Sequence, residues 1–155
     1  MKIAEYAVAA APALLVTIGL GSCVAIVLHD AKTRVGALAH VLLPAPTATL
    51  GAADQPGRFP SSAVPRMLDE MRALGSSGTV TARLVGGASL FGPLLTTDGA
   101  SVGTRNIAAA RAALAEAKVR VIGEVVGGNA GRSVFFEVAS GRVDVRSMRE
   151  GDRVL

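Results

Sequence analysis

The sequence is poor in aromatic residues and carries little charge. Tryptophan is absent, tyrosine occurs once, and aromatic residues make up 3% of the 155 positions. This composition excludes a protein that holds single-stranded nucleic acid by stacking bases on aromatic side chains. Charged residues are 18% of the chain with a net charge of +4, and the basic ones are scattered, which argues against a phosphate-tracking surface. Half of the residues are hydrophobic, so a single domain over residues 1–155 can bury its own core.

Cysteine is also scarce, with Cys23 as the one example. A lone cysteine cannot form an internal disulfide or build a cysteine-rich metal centre. The two histidines, His29 and His40, and the dispersed carboxylates do not favour a transition-metal site either. Cys23 is therefore either a small buried hydrophobic residue or a reactive thiol.

Charge is absent from a long segment near the N-terminus, because Tyr6 to Leu28 contains no charged residue. Such a run is long enough for a membrane span, and Leu20 to Cys23 resembles a lipoprotein processing box. However, Pro12 and the glycines interrupt any helix, and a β-rich segment follows Cys23 directly instead of a polar tether. The run is predicted to form strands and turns, and a lipid-anchored envelope protein stays the alternative.

Hydrophobic periodicity predicts about seven or eight strands and two helices. The first helix starts at Ser61 or Ser62 as N-cap, has Pro65 in its first turn and ends at Gly75. The second covers Thr104–Lys118, and a loop to about Pro60, a candidate lid, follows Pro44. The predicted strands are Leu14–Ile18, Val24–Leu28, Ala37–Leu43, Thr79–Val85, Val119–Val126, Ser133–Val138 and Val143–Met148. Hairpins dominate this order, which predicts an α+β fold with helices on one face of a largely antiparallel sheet system.

One predicted hairpin brings the cysteine to a histidine. If Val24–Leu28 pairs with Ala37–Val41 around a turn at Ala31 and Lys32, Cys23 lies directly opposite His40. Directly opposed residues share a face with Cβ atoms about 4.5–5.5 Å apart, so an imidazole nitrogen can reach the thiol. His29 follows the same strand beside Asp30 and is expected to be solvated.

A cysteine beside a histidine is the outline of a nucleophile with its base. The thiolate is the nucleophilic form, and the imidazole can take its proton and hold it as an ion pair. The backbone N–H groups around Gly21 and Ser22 could donate to a developing oxyanion, and Thr17 could fix the histidine tautomer. Against this, a lone cysteine, a strand histidine and a strand threonine are each more often core residues, and the residues alone leave both interpretations open.

Several spaced motifs resemble the CheD family, the chemoreceptor glutamine deamidases of chemotaxis. The first motif runs from Thr17 to Ala25 and the second from Gly36 to Pro44. The others, in family order, are Gly86–Phe91, Val102–Asn106, Gly127–Val134 and Ser140–Val143. Two positions depart from the family pattern, because Phe59 replaces a usual tyrosine and Ser61 replaces an acidic or amide residue.

The resemblance implies a three-layer α/β/β sandwich related to the bacterial-toxin deamidases, with Cys23 as nucleophile, His40 as base and Thr17 as the orienting residue. It implies hydrolysis of receptor glutamine amides through a thioester, without a cofactor or metal, by a cytoplasmic protein that binds no nucleic acid and does not insert into the membrane. Phe59, Ser61 and Ser89 would rim the substrate site.

The resemblance further implies receptor methylesterase activity in some members and binding of a CheC-type phosphatase in some organisms. A catalytically silent regulator that binds this phosphatase is the alternative, and an amine could replace water in resolving the thioester. The receptor glutamines that are used and the oligomeric state are not specified by the sequence.

Overall fold

A computed structural model describes residues 1–46, 55–89 and 100–155. These residues form nine strands, two α-helices and one 3-10 helix at Pro56–Arg58. The helices are α1 (Pro60–Ala73) and α2 (Val102–Glu116). The strands are β1 (Tyr6–Ala10), β2 (Leu14–Leu20), β3 (Val24–Asp30), β4 (Val35–Val41), β5 (Val80–Gly86), β6 (Arg120–Val126), β7 (Arg132–Glu137), β8 (Arg142–Arg146) and β9 (Arg153–Val154).

The strands form two sheets. The five-stranded sheet has the order β1-β4-β3-β5-β6, and the four-stranded sheet has the order β2-β7-β8-β9. Only β5 and β6 pair in parallel within the described ranges; the other pairs are antiparallel. The predicted α+β class is confirmed, and the sequence prediction missed β1 and β9.

Two hydrophobic cores lie on opposite faces of the five-stranded sheet. Successive strand residues point to opposite faces, so Ile26 packs with Met67 and Leu114 of the helices, whereas Val27 packs with Phe136 of the second sheet. The helices therefore cover one face and the four-stranded sheet the other. This order is compatible with an α/β/β sandwich.

The uncharged segment near the N-terminus is β-structure, as predicted. It supplies β1, β2 and most of β3. In the described ranges, no helix has the length and apolar character needed to cross a membrane.

The start of α1 differs from the prediction. The helix begins at Pro60 with Phe59 as N-cap, and no side chain caps it. The hydroxyl of Ser62 donates instead to the carbonyls of Pro56 and Phe59 at 2.7 and 3.1 Å. Pro65 consequently lies inside the helix. Residues 47–54 of the predicted lid loop, and Leu90 and Phe91 of the Gly86–Phe91 motif, lie outside the described residues.

The β3–β4 register also differs from the prediction, by two residues. His40 pairs with Ala25, and the loop between Asp30 and Val35 has four residues. The carboxylate of Asp30 accepts from the N–H groups of Lys32 and Thr33 at 3.0 and 3.3 Å, and Arg34 adopts a φ of 54°. These local bonds stabilise a longer turn than the two-residue one that the sequence suggested. Since the shift is even, Cys23 and His40 still face the same side of the sheet.

Candidate active site

A histidine and a threonine join the two sheets at a buried position. His40 lies on β4 and Thr17 on β2, with exposed fractions of 1% and 0%. The Thr17 hydroxyl lies 2.7 Å from Nδ1 of His40. This bond fixes the orientation of the imidazole within the core, which brings together two of the predicted site residues.

The hydrogen bonds around Thr17 favour one tautomer of His40. The hydroxyl of Thr17 has one proton and lies 3.3 Å from the carbonyl of Met1. When it donates to this carbonyl, it accepts from Nδ1–H of His40, and the proton-free nitrogen is Nε2. This Nε2 is buried and has no hydrogen-bond partner among the described residues. An imidazole in this state has a lone pair available to act as a base.

Cys23 immediately precedes β3, on the same face of the sheet as His40. It is 7% exposed and belongs to the core between the two sheets. Because His40 pairs with Ala25, Cys23 is its diagonal neighbour and not its direct partner. Diagonal pairs stay within reach of long and aromatic side chains, so the imidazole of His40 can approach the thiol of Cys23.

Burial shifts the pKa values of both groups towards their neutral forms. It raises the pKa of the Cys23 thiol, which the backbone N–H of Cys23 partly offsets. It lowers the pKa of His40, and the positive charge of the Met1 amino group lowers it further. Both shifts favour the uncharged forms, a thiol and a neutral imidazole, over a thiolate–imidazolium pair. A thiol in this state needs a base to become nucleophilic.

Glycines at the end of β5 allow close packing beside the cysteine. A Cβ at Gly86, where φ is 110°, would lie 2.4 Å from the carbonyl oxygen of Cys23. At Gly87, with φ of 69°, it would lie 2.5 Å from Ile107 of α2. Only glycine fits both positions, so these two glycines have a structural role.

The loop before Cys23 is held by its carbonyl groups. Ala88 N–H donates to the Gly21 carbonyl at 2.8 Å. The side-chain amide of Asn106 donates to the Ser22 carbonyl at 2.8 Å. Asn106 is a site residue that sequence reasoning missed, although it ends the family motif at the start of α2. Asn106 lies at helical spacing from Ala110 and Ala113, and an asparagine in such an apolar pattern was the available signal.

The three predicted rim residues have different surroundings. Ser89 is half-buried, and its N–H donates to the Gly128 carbonyl at 2.9 Å, next to the Gly21 contact of Ala88. Ser61 is exposed and lines a groove between α1 and α2, on the helical side of the sheet. Phe59 is fully buried, so its ring packs in the interior rather than presenting a surface to a docked helix.

His29 is buried, contrary to the expectation that it is solvated. It is 5% exposed, its Nε2 lies 3.0 Å from the Val138 carbonyl, and its ring meets Phe136 edge-on. The four-stranded sheet covers β3 at this point, which the sequence could not show. His29 thus contributes to the packing of the two sheets.

No group of three or more histidine, cysteine, aspartate or glutamate side chains suited to a metal ion occurs in the described part of the chain. The chemistry that this arrangement can support is nucleophilic attack by a thiol, with a neutral imidazole as base and a threonine that orients it. This combination is typical of cysteine hydrolases and transferases.

The chain is similar to known proteins over nearly its whole length. The family model described as CheD, chemotactic sensory transduction, matches residues 42–147. This chain is 41% identical to a probable chemoreceptor glutamine deamidase CheD 2 of Geobacter metallireducens over 149 residues, which cover 96% of this chain and 92% of the relative. It is 36% identical over 153 residues, 98% and 93% of the two chains, to the chemoreceptor glutamine deamidase CheD of Thermotoga maritima. A probable chemoreceptor glutamine deamidase CheD of Archaeoglobus fulgidus is 39% identical over 151 residues, 97% and 93% of the two chains.

The chain belongs to the CheD family. The family model begins after Thr17, Cys23 and His40, whereas the similarity to the individual relatives extends over nearly the whole chain.

Proposed function

We propose that this protein hydrolyses glutamine side-chain amides of chemotaxis receptors to glutamate, with Cys23 as the nucleophile. The observation that carries the proposal is the 2.7 Å contact of Thr17 with His40 Nδ1, which leaves Nε2 as a buried base on the face that Cys23 shares. The relatives supply the substrate class, because they are named chemoreceptor glutamine deamidases.

The first half of the reaction forms a thioester. The sulfur of Cys23 attacks the amide carbon while His40 Nε2 takes the thiol proton, which a buried neutral pair requires. Charge develops on the amide oxygen, and backbone N–H groups of the Gly21–Cys23 loop would donate to it. The carbon–nitrogen bond then breaks, and ammonia leaves with the proton from His40.

The second half releases glutamate. A water molecule gives a proton to His40 Nε2 and adds to the thioester carbon. The carbon–sulfur bond breaks, the sulfur recovers the proton from His40, and the product carboxylic acid ionises in solution. Thr17 accepts from Nδ1–H throughout, so it stabilises the same ring orientation in both halves. The same steps would hydrolyse a receptor glutamate methyl ester, with methanol as the leaving group.

The location and partners follow from the proposed substrate. Receptor glutamines of this kind lie on cytoplasmic helices, so we place the protein in the cytoplasm. The order of helices and sheets supports the proposed α/β/β sandwich of the bacterial-toxin deamidases. Binding of a CheC-type phosphatase could coexist with activity; as the sole function it is disfavoured because a silent protein has no need of an oriented base.

The proposal is tested by ammonia release from a receptor cytoplasmic fragment. Wild-type protein is expected to release ammonia, and Cys23→Ala is expected to release none while its circular dichroism and thermal unfolding stay unchanged. Because the chain contains no other cysteine, no second thiol can replace Cys23 in this variant. Release by Cys23→Ala would exclude the nucleophile assignment, and methanol release from a methylated fragment tests the esterase step separately.

A further inference from the structure

Asn106 connects α2 to the backbone on both sides of the candidate nucleophile. It is the fifth residue of α2 and is fully buried. Its Nδ2 group donates to the carbonyl of Ser22 at 2.8 Å and to the carbonyl of Leu42 at 3.0 Å. Both protons of this amide group are therefore donated to main-chain carbonyls, one just before β3 and one just after β4.

The carbonyls of Ser22 and Leu42 lie at the end of the β3–β4 ladder, next to Cys23. The β3–β4 ladder ends at the pair Val24 and Val41, so the next residues in register are Cys23 and Leu42. Beyond this point no ladder pair holds the strands together, and Asn106 bridges them instead. It thereby fixes the peptide group that leads into Cys23.

Planarity of this peptide transmits the constraint to the reacting group. In a trans peptide the carbonyl and the following N–H point in opposite directions, so holding the Ser22 carbonyl at Asn106 directs the Cys23 N–H away from α2. This N–H acts on the sulfur of its own residue, where it lowers the thiol pKa against the larger effect of burial. A group in this position can also donate to an oxyanion formed on attack by the same sulfur.

Packing of the helix does not account for the presence of Asn106. Its Oδ1 is buried and finds no hydrogen-bond partner among residues 1–46, 55–89 and 100–155. A buried acceptor without a partner destabilises a protein. The helix also docks through apolar residues of its own, Ile107, Ala110 and Leu114, so it does not need Asn106 to pack.

We propose that Asn106 is a positioning residue that sets the reactivity of Cys23 by holding the Ser22–Cys23 peptide against the end of β4. The effect on turnover rests on the proposed deamidase function; the effect on the thiol does not. Loss of the amide frees the peptide to rotate, and a misplacement of about 1 Å at a reacting group lowers rates on the order of a hundredfold.

The test compares Asn106→Ala with Leu114→Ala, which removes a buried side chain from the same helix without touching the Ser22–Cys23 peptide. The first readout is the rate of alkylation of the single cysteine by iodoacetamide from pH 6 to 10. We expect the midpoint to move to higher pH in Asn106→Ala and to stay at the wild-type value in Leu114→Ala. This measurement needs no substrate, so it stands even if no receptor fragment is deamidated.

The second readout is ammonia release at a temperature where all variants are folded. Asn106→Ala should lower kcat by about tenfold to a hundredfold with KM nearly unchanged, and Leu114→Ala should leave kcat within about twofold of wild type. In Asn106→Ser, the hydroxyl can donate to one of the two carbonyls, so the alkylation midpoint and kcat should lie between those of wild type and Asn106→Ala. This variant replaces Asn106→Ala in both measurements if the alanine variant does not fold. A wild-type alkylation profile and kcat in the folded variants would overturn the proposal, as would equal losses in Leu114→Ala.

Discussion

Removal of the Thr17 hydroxyl tests how His40 is held. Thr17→Val keeps the branched shape but takes away the acceptor that lies 2.7 Å from Nδ1. The Nδ1–H donor is then buried without a partner, which costs about 1–3 kcal/mol. The ring can respond by adopting the other tautomer or by turning, and either response removes the lone pair at Nε2 from its place beside Cys23.

The expected loss of activity follows from this free energy. If the whole cost falls on the catalytically competent ring orientation, about 1–3 kcal/mol corresponds to a decrease in kcat of about 5-fold to 150-fold. The assay is steady-state ammonia release from a receptor fragment, with kcat and KM determined separately. KM should change little, because the hydroxyl is buried and does not meet the substrate surface.

Thr17→Ser is the matched control, because it keeps the hydroxyl and removes only a methyl group. We expect it to retain most of the wild-type kcat. A folded Thr17→Val variant with kcat within about twofold of wild type would refute the orienting role. Equal losses in the valine and serine variants would show that the methyl group, and hence packing, is what matters.

Four further outcomes follow from the described contacts. Burial lowers the pKa of His40, so the acidic limb of kcat/KM should lie below pH 6.5, and a limb above it would contradict this. Burial also lowers the pKa of His29. Because both histidines bind protons less readily in the folded state than in the unfolded state, their contribution to stability is present above about pH 6.5 and decreases as the pH falls. Urea unfolding at pH 5.5 should show a loss of up to about 1.4 kcal/mol per histidine relative to pH 8, and His29→Gln should reduce it. Asp30→Asn should lower the free energy of unfolding by about 2–4 kcal/mol at pH 7, because several N–H donors lose a charged acceptor, and an unchanged urea midpoint would count against it. Gly86→Ala should destabilise by at least about 2 kcal/mol and slow Cys23 alkylation, since its Cβ would meet the Cys23 carbonyl; wild-type behaviour in both measurements would contradict that account.

The carboxylate of Asp30 shows why part of the fold could not be predicted. Burial alone raises the pKa of Asp30, but hydrogen bonds from the Gly78 N–H and the Ser76 hydroxyl outweigh it and hold the pKa well below its ordinary range. These partners lie more than forty residues away. The turn after β3 is thus shaped partly by a distant segment, and a local turn rule cannot give the register.

The alternation of apolar residues predicted the facing of the strand residues correctly, whereas the turn did not predict the register. It placed Cys23 and His40 on one face, and this survived the register shift because the shift is an even number of residues. Thr17 was a candidate from the residues and was given the orienting role by the resemblance, and the structure supplies its contact with Nδ1. Local patterns could not give this contact, because β2 and β4 belong to different sheets.

The surroundings of Phe59 and Asn106 were beyond sequence reasoning for a related reason. Phe59 precedes a helix in a segment that looked like surface loop, yet its ring fills the core. Asn106 falls between the apolar positions of α2, and only the packing of this helix against the end of β3 shows that its amide has two main-chain acceptors. In both cases the deciding partner comes from another element.

Intact-mass analysis of a receptor cytoplasmic fragment shows whether Cys23 converts receptor glutamines to glutamates. The fragment is incubated with wild-type protein and with Cys23→Ala. We expect a gain of about 1 Da per modified site with wild type only, since an amide is exchanged for an acid through the thioester, and peptide mapping then identifies the glutamines. No gain with several receptor fragments, or the same gain with Cys23→Ala, would contradict it.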